Sequence, residues 1–240
     1  MIIYEYPLNE HIRTLLKLER LFQQALRLIQ IDDVLLQQTA LFHLFDLFEI
    51  TARNEIRTDL QMELSRQQQM AGIAPDSALA LSHAAHALHN LPGRLDQALR
   101  DQEWLSMLKQ RANIPGGVNS FDIPWFHHWQ HLPAAQRRAD LINWISPLLP
   151  IYQALNIVLQ SLRENGRPET RTAHQGFHQQ ILNDKNIRLL RIGIARNTEW
   201  IPEVSASRHA ITIRFVSTLS TDTSNTVTPD IEFQLCLCQI

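Results

Sequence analysis

Lysine is scarce in this chain of 240 residues, where only three of the 22 basic side chains are lysines. No segment approaches the roughly 20 uncharged apolar residues of a membrane-spanning helix, so we expect no membrane span. The N-terminal sequence MIIYEYPLNE lacks a basic run and an apolar block, and it predicts no signal peptide. Cys236 and Cys238 alternate along one predicted strand, a spacing unsuited to a disulfide bond. We therefore expect reduced thiols in a cytosolic protein.

The motifs of several catalytic classes are missing as well. The sequence has no GxxxxGKS/T phosphate loop, no GxGxxG turn, no GxSxG elbow and no CxxC pair. His127 and His131 have the spacing of a zinc-binding helix, but His128 stands where such helices carry glutamate. The sequence thus favours a protein that is not an enzyme, with no cofactor and no metal. A hydrolase or metal enzyme built on these histidines stays the alternative that a metal assay tests.

The formal net charge of −2 hides an uneven distribution. Residues 1–110 hold 10 basic and 14 acidic side chains, whereas residues 161–214 hold 9 basic and 5 acidic ones. A nucleic-acid-binding regulator is one hypothesis, because phosphate contacts need clustered lysine and arginine. The few lysines and the slightly acidic total count against it. Local basic patches are nonetheless available for an anionic partner.

Apolar residues at spacings of three and four predict a helical region that extends to about residue 166. Asn9 and Asp33 are placed to cap two of its helices. The clearest helical patterns cover residues 10–29, 33–50, 54–70, 94–111 and 147–165. On the first of these helices, a second stripe of basic side chains includes Arg13, Lys17 and Arg20.

After residue 166 the apolar period changes to two. Three segments alternate apolar and polar side chains: residues 187–192, 211–216 and 231–238. This pattern predicts an antiparallel sheet with one buried face, which the strand at residues 2–6 is expected to join. The sequence therefore predicts an α+β protein with a mainly helical domain at residues 1–166 and a smaller antiparallel β domain at residues 167–240.

A turn-rich corner occupies residues 111–133. Pro115 and Gly116 predict a type II turn, because proline presets one backbone angle and glycine accepts the positive φ required next. Asp122 is expected to cap the short helix that follows, with Pro124 in its first turn. That helix carries two tryptophans, one phenylalanine and three histidines within seven positions. The sequence indicates a rigid corner bearing an aromatic helix.

Several motifs that lie far apart in this sequence resemble motifs of one protein family. They are Pro7-Leu8-Asn9-Glu10 with Arg13-Thr14, Glu55-Ile56-Arg57-Thr58 leading to Glu63-Leu64 and Arg66-Gln67-Gln68, and the IPGG, SFD, P and HLP elements of residues 114–133. These motifs resemble, in the same order, those of the ZapD family of bacterial cell division. The match covers most of residues 5–165 and returns at residues 211–215. Several ordered motifs are more specific than any single one.

The resemblance implies a non-enzymatic adaptor in which a helical domain is joined to a β domain. Members of the family form homodimers, bind the C-terminal tail of the tubulin-like protein FtsZ, and cross-link its filaments. It further implies a cytoplasmic protein at the division septum. A dimer is also expected from the apolar face of the predicted helix at residues 147–165.

Docking of a short flexible tail needs anchoring charges together with an apolar or aromatic surface. The candidate residues are Arg13, Lys17, Arg20, Arg53, Arg57, Trp125, His127, Arg208 and Arg214. Any one of these arginines can equally be an ordinary solvated or ion-paired residue. Arg57 is the foremost candidate, because it belongs to a motif of the resemblance and, if its helix extends as far as Arg53, forms a like-charge i, i+4 pair with that residue. Arg57→Glu is expected to abolish filament bundling and leave the fold intact.

Overall fold

The computed structural model describes residues 1–69, 75–182, 186–207, 209–219 and 229–239. Helices come first and antiparallel strands follow, so the predicted α+β class is confirmed. The chain divides into two compact units. We call Met1–Leu16 with Leu159–Ile240 the strand unit, and Lys17–Val158 the helical unit. The domain boundary expected at residue 166 stays a prediction.

Most helices begin and end near the predicted positions. They are α1 (Glu10–Ile29), α2 (Val34–Thr51), α3 (Asn54–Gln68), α4 (Pro75–His89), α5 (Gln97–Arg100), α6 (Glu103–Ala112), α7 (Pro124–Gln130), α8 (Ala134–Ile145) and α9 (Leu149–Glu164). A 3-10 turn at Ser146–Leu148 connects α8 to α9. The single helix predicted at residues 94–111 is wrong, because Gln102 has an extended backbone (φ −115°, ψ 103°) that separates α5 from α6.

Side chains cap the first two helices as predicted. Asn9 Oδ1 accepts a hydrogen bond from the N–H of Ile12 at 2.8 Å. Asp33 Oδ1 accepts bonds from the N–H groups of Leu35 and Leu36, both at 2.9 Å. Each bond satisfies an N–H that the helix itself leaves without a partner.

The cap predicted at Asp122 is wrong. The N-cap residue of α7 is Ile123, which makes no side-chain cap bond, although Pro124 does occupy the first turn as predicted. Asp122 instead pairs with Arg111, with 3.1 Å between carboxylate oxygen and guanidinium nitrogen.

Two arginines of α8 donate to the C-terminal ends of other helices. Arg137 is 7% exposed, and it donates to the side chain of Gln37 at 2.7 Å and to the carbonyls of Gln130 and Leu132. Arg138 donates to the carbonyl of Ile29 at 3.4 Å and to that of Gln30 at 3.1 Å. These bonds satisfy carbonyls that α7 and α1 leave without helical partners.

The core of the helical unit is built on α2 and on an aromatic cluster. Apolar residues cover α2 around much of its circumference, as predicted, and Leu41, Leu44 and Leu47 are almost completely buried. The cluster brings four aromatic rings to centroid separations of 5.9–6.3 Å; they belong to Trp104, Phe126, Trp129 and Trp144. Such edge and offset contacts add to the free energy gained by burying the rings.

The helical run Ala134–Glu164 is long and apolar enough to cross a membrane when judged by length and composition alone. Of its most apolar window, 44% is buried inside the protein. Its buried residues include Leu141, Trp144, Leu155 and Leu162. Core helices of water-soluble proteins meet the same criteria, so this run is weak evidence for a membrane span.

The strands form two antiparallel sheets instead of the one sheet expected. They are β1 (Ile2–Pro7), β2 (Arg167–Ala173), β3 (Phe177–Ile181), β4 (Ile187–Ile194), β5 (Trp200–Ala206), β6 (Ala210–Ser217) and β7 (Ile231–Gln239). One sheet has the order β1-β4-β7-β2, and the other has the order β3-β6-β5. The N-terminal strand thus pairs with β4, Tyr4 lying opposite Ile192. The core of the strand unit contains Leu190, Ile192, Ile211, Ile213, Phe215, Phe233 and Leu235.

Both cysteines are unpaired and buried on β7. Their Sγ atoms lie 3.7 Å apart. Burial, together with the neighbouring Cys236, raises the pKa of the Cys238 thiol to about 12. Gly166 follows α9 at this point, and a Cβ atom there would stand only 2.4 Å from the Cys236 sulfur. The chain needs glycine here because a side chain would displace the thiols.

The predicted turn in the corner is confirmed at Gly116, whose φ is +67°. The N–H of Gly117 donates to the carbonyl of Ile114 at 2.8 Å and closes the turn. A Cβ atom at Gly116 would meet no atom within 4 Å, so space is available there for a side chain. Only the backbone angle makes glycine necessary.

We expect Gly116→Val to lower the free energy of unfolding by more than ~1 kcal/mol, because a β-branched residue resists positive φ. Urea unfolding measures the change. Gly93→Val is the matched control, since Gly93 also has open space around it but no positive φ. Equal effects of the two substitutions would contradict the assigned turn.

Candidate partner-binding site

A pocket of about 290 Å³ opens in the helical unit, and we call it the arginine pocket. Its lining includes four arginines and one acidic residue: Arg53, Arg57, Arg94, Arg100 and Asp96. Apolar side chains complete the wall, namely Phe48, Leu91, Pro92, Leu95 and Ile151. The pocket therefore combines excess positive charge with an apolar surface.

Two breaks in the helical chain build this pocket. The first separates α2 from α3, where Arg53 has an extended backbone (φ −75°, ψ 120°) as the N-cap residue of α3. The helix does not extend to Arg53, so the condition for an i, i+4 helical pair with Arg57 is not met, although both residues line the pocket. The second break follows α4 at Pro92-Gly93 and places Arg94 on the same pocket.

Arg57 and Arg100 are engaged within the protein. Arg57 Nη2 donates to the carbonyl of His89, the last residue of α4, at 2.6 Å. Arg100 Nε pairs with Asp96 Oδ2, also at 2.6 Å, although 60% of the Arg100 side chain is exposed. Arg57 consequently has a structural role, since it ties α3 to the end of α4.

Arg53 and Arg94 are exposed at the mouth of the pocket. Within the part of the chain that the structure describes, their side chains make no hydrogen bond or ion pair. A guanidinium in this state can form charge-assisted, bidentate bonds with an incoming carboxylate. These two arginines are therefore the ones most available to a partner.

The corner helix α7 divides its aromatic residues between core and solvent. Phe126 and Trp129 are buried, and the indole N–H of Trp129 donates to Asp140 at 3.1 Å. Burial raises the pKa of the Asp140 carboxyl, and this hydrogen bond opposes the effect. Trp125 is 68% exposed, and His127 is exposed on the same helix.

The corner histidines lack the companions of a metal site. The rings of His127 and His131 lie with centroids 4.4 Å apart. Among the described residues, no group of three or more His, Cys, Asp or Glu side chains is arranged to hold a metal ion.

The remaining candidates that the structure describes lie outside the arginine pocket. Lys17 and Arg20 are exposed on α1, while Arg13, on the same helix, pairs with Glu10 at 2.9 Å. Arg214 is exposed on β6 between buried Ile213 and Phe215, as the alternation predicts.

Of the nine candidates, the structure thus brings Arg53 and Arg57 together in one pocket. Lys17, Arg20, Trp125 and His127 belong to the helical unit but do not line that pocket. Arg13 and Arg214 belong to the strand unit. Arg208 falls outside the described residues.

Sequence reasoning missed Arg94, Asp96 and Arg100. The sequence does contain a signal for Arg94. This residue directly follows the Pro92-Gly93 break, and side chains in such connecting segments lie at the surface. The i, i+4 spacing of Asp96 and Arg100 is a second signal, since it is typical of a local ion pair.

Comparison with known proteins assigns a family. A family model described as "ZapD: Cell division protein" matches residues 16–214. The chain is also 37% identical over 251 aligned residues to "Cell division protein ZapD" of Azoarcus sp. (strain BH72). That alignment covers the whole of both chains.

We expect Arg57→Ala to lower the free energy of unfolding by about 1 kcal/mol, because the carbonyl at the end of α4 loses a charged donor. Arg53→Ala is the matched control, and it should change stability by less than about 0.5 kcal/mol. Thermal and urea unfolding measure both variants. A larger loss for Arg53→Ala would contradict the structural role given to Arg57.

Proposed function

This chain belongs to the ZapD family of cell division proteins, and we propose that it is a non-enzymatic adaptor that binds the C-terminal tail of FtsZ. In this proposal it cross-links FtsZ filaments and stabilises the ring they form at the division septum. It acts in the cytoplasm and uses no cofactor.

The observation that carries the proposal is the arginine pocket. Four arginines and one aspartate line it, so its formal charge favours an anionic partner. The apolar wall beside these charges suits a peptide, because peptide docking combines buried apolar anchors with oriented polar contacts. Lys17, Arg20, Trp125 and His127, like Arg13 and Arg214, stay candidates for further contacts along the tail.

Cross-linking also requires two binding sites in one particle. A homodimer supplies them, and a filament displays many tails, so avidity raises a weak single-site affinity by about 10²–10⁴-fold. The proposed adaptor therefore needs only modest affinity at each pocket.

We expect the double variant Arg53→Glu, Arg94→Glu to abolish bundling of FtsZ filaments, because charge reversal repels the anionic tail. Co-sedimentation and light scattering measure bundling, and circular dichroism checks the fold. These positions are preferable to Arg57→Glu, which also breaks the bond to α4. In wild type, rising salt should weaken tail binding.

Arg196→Glu is the matched control for that experiment, because Arg196 is an exposed arginine of the strand unit. It should bundle filaments as well as wild type. Bundling by a folded double variant at the wild-type level would contradict the pocket assignment. Steeply salt-dependent DNA binding without FtsZ binding would favour the nucleic-acid hypothesis instead.

We expect a homodimer in solution at micromolar concentration, because bridging requires two pockets per particle. Multi-angle light scattering should give twice the 27.8 kDa of one chain. A monomer that still bundles filaments would show that one chain bears two tail sites and would contradict the bivalent dimer.

A further inference from the structure

Asp96 is the acidic residue among the lining residues of the arginine pocket. Its Oδ2 atom pairs with Nε of Arg100 at 2.6 Å. The pocket thus already contains a carboxylate that is bound to one of its own arginines.

The Asp96 carboxylate has no role in starting the adjacent helix. Asp96 is the N-cap residue of α5, yet its side chain makes no cap bond. Its backbone carbonyl accepts the N–H groups of Leu99 and Arg100, both at 3.1 Å, and any residue can supply that carbonyl. Asn at this position would therefore keep the backbone bonds and remove only the charge.

The Asp96–Arg100 pair is also one that a ligand can displace. Arg100 is 60% exposed, and ion pairs in contact with solvent are weak because water screens them. Asp96 pairs with Nε of Arg100 and offsets its charge, so a ligand carboxylate held by Arg53 and Arg94 would compete with Asp96 for that guanidinium.

We propose that Asp96 is a built-in competitor, which occupies Arg100 and lowers the affinity of the arginine pocket for acidic peptides. The ligand is a peptide segment with one carboxylate and a neighbouring apolar side chain. A volume of about 290 Å³ has room for a side-chain pair of this kind but not for a helix. The identity of the peptide as the FtsZ tail rests on the proposed function.

In this proposal Asp96 lowers the affinity of each arginine pocket for the peptide. Removing its charge raises the formal charge of the lining side chains by one and weakens its hold on the Arg100 guanidinium, because a neutral acceptor binds a cation less strongly than a carboxylate does. Both changes favour a carboxylate, so loss of Asp96 strengthens binding, whereas loss of a merely structural ion pair leaves binding unchanged or weaker.

The test measures binding of a fluorescent FtsZ C-terminal tail peptide by anisotropy. Asp96→Asn should bind about three- to tenfold more tightly than wild type, as one additional charge-assisted contact implies. Asp101→Asn is the matched control, because it makes the same charge change on a residue outside the pocket lining. Adding Arg100→Gln to Asp96→Asn should remove the gain.

The outcomes separate this inference from the proposed function. Unchanged or weaker binding by Asp96→Asn, or an equal gain in Asp101→Asn, overturns the inference while tail binding by wild type still supports the adaptor. A gain that survives Arg100→Gln overturns it as well. A wild-type protein that binds no tail peptide overturns both.

Discussion

Donation from arginine to the carbonyl end of another helix is the interaction on which the helical unit depends. Arg57 does this for α4, Arg137 for α7 and Arg138 for α1. Each helix end carries a partial negative charge and carbonyls without helical partners, so a cation with several donors fits it well. The guanidinium offers five donors in a fixed plane, whereas lysine offers a single ammonium group. Arginine therefore suits these three positions better than lysine would.

The arginine pocket contains one of these arginines. Arg57, which holds the end of α4, lines the pocket with three other arginines, and their like charges repel one another. Only two of the four arginines have a partner within the described protein that offsets this repulsion. Arg57 is held by a carbonyl and Arg100 by Asp96, while Arg53 and Arg94 face solvent. One group of side chains thus contains both a helix-end contact and the proposed binding surface, and only some of its members can be changed without disturbing the helices.

The sequence predicts elements well where one local signal decides them. The caps at Asn9 and Asp33, the turn at Gly116 and the alternation in β6 and in the first half of β7 are of this kind. Strand β2 could not be predicted in this way. Its residues from Arg167 to Thr172 are all exposed, so its sequence shows no alternation of apolar and polar side chains. The helix cap predicted at Asp122 is absent, and the Asp122 carboxylate pairs instead with Arg111, eleven residues earlier in the sequence. The pocket cannot be predicted locally, since Arg53 and Arg94 are 41 positions apart in the sequence.

The buried thiols make the chain convenient for spectroscopy. Cys238 is completely buried, Cys236 is 6% exposed, and the raised pKa of Cys238 leaves almost no thiolate at neutral pH. Maleimide and related dyes react with thiolate at the surface, so the native cysteines are poor targets in the folded protein. A single cysteine placed on an exposed helix face would then accept a dye selectively. The motions of this protein in solution can therefore be followed without first removing the cysteines that Gly166 packs against.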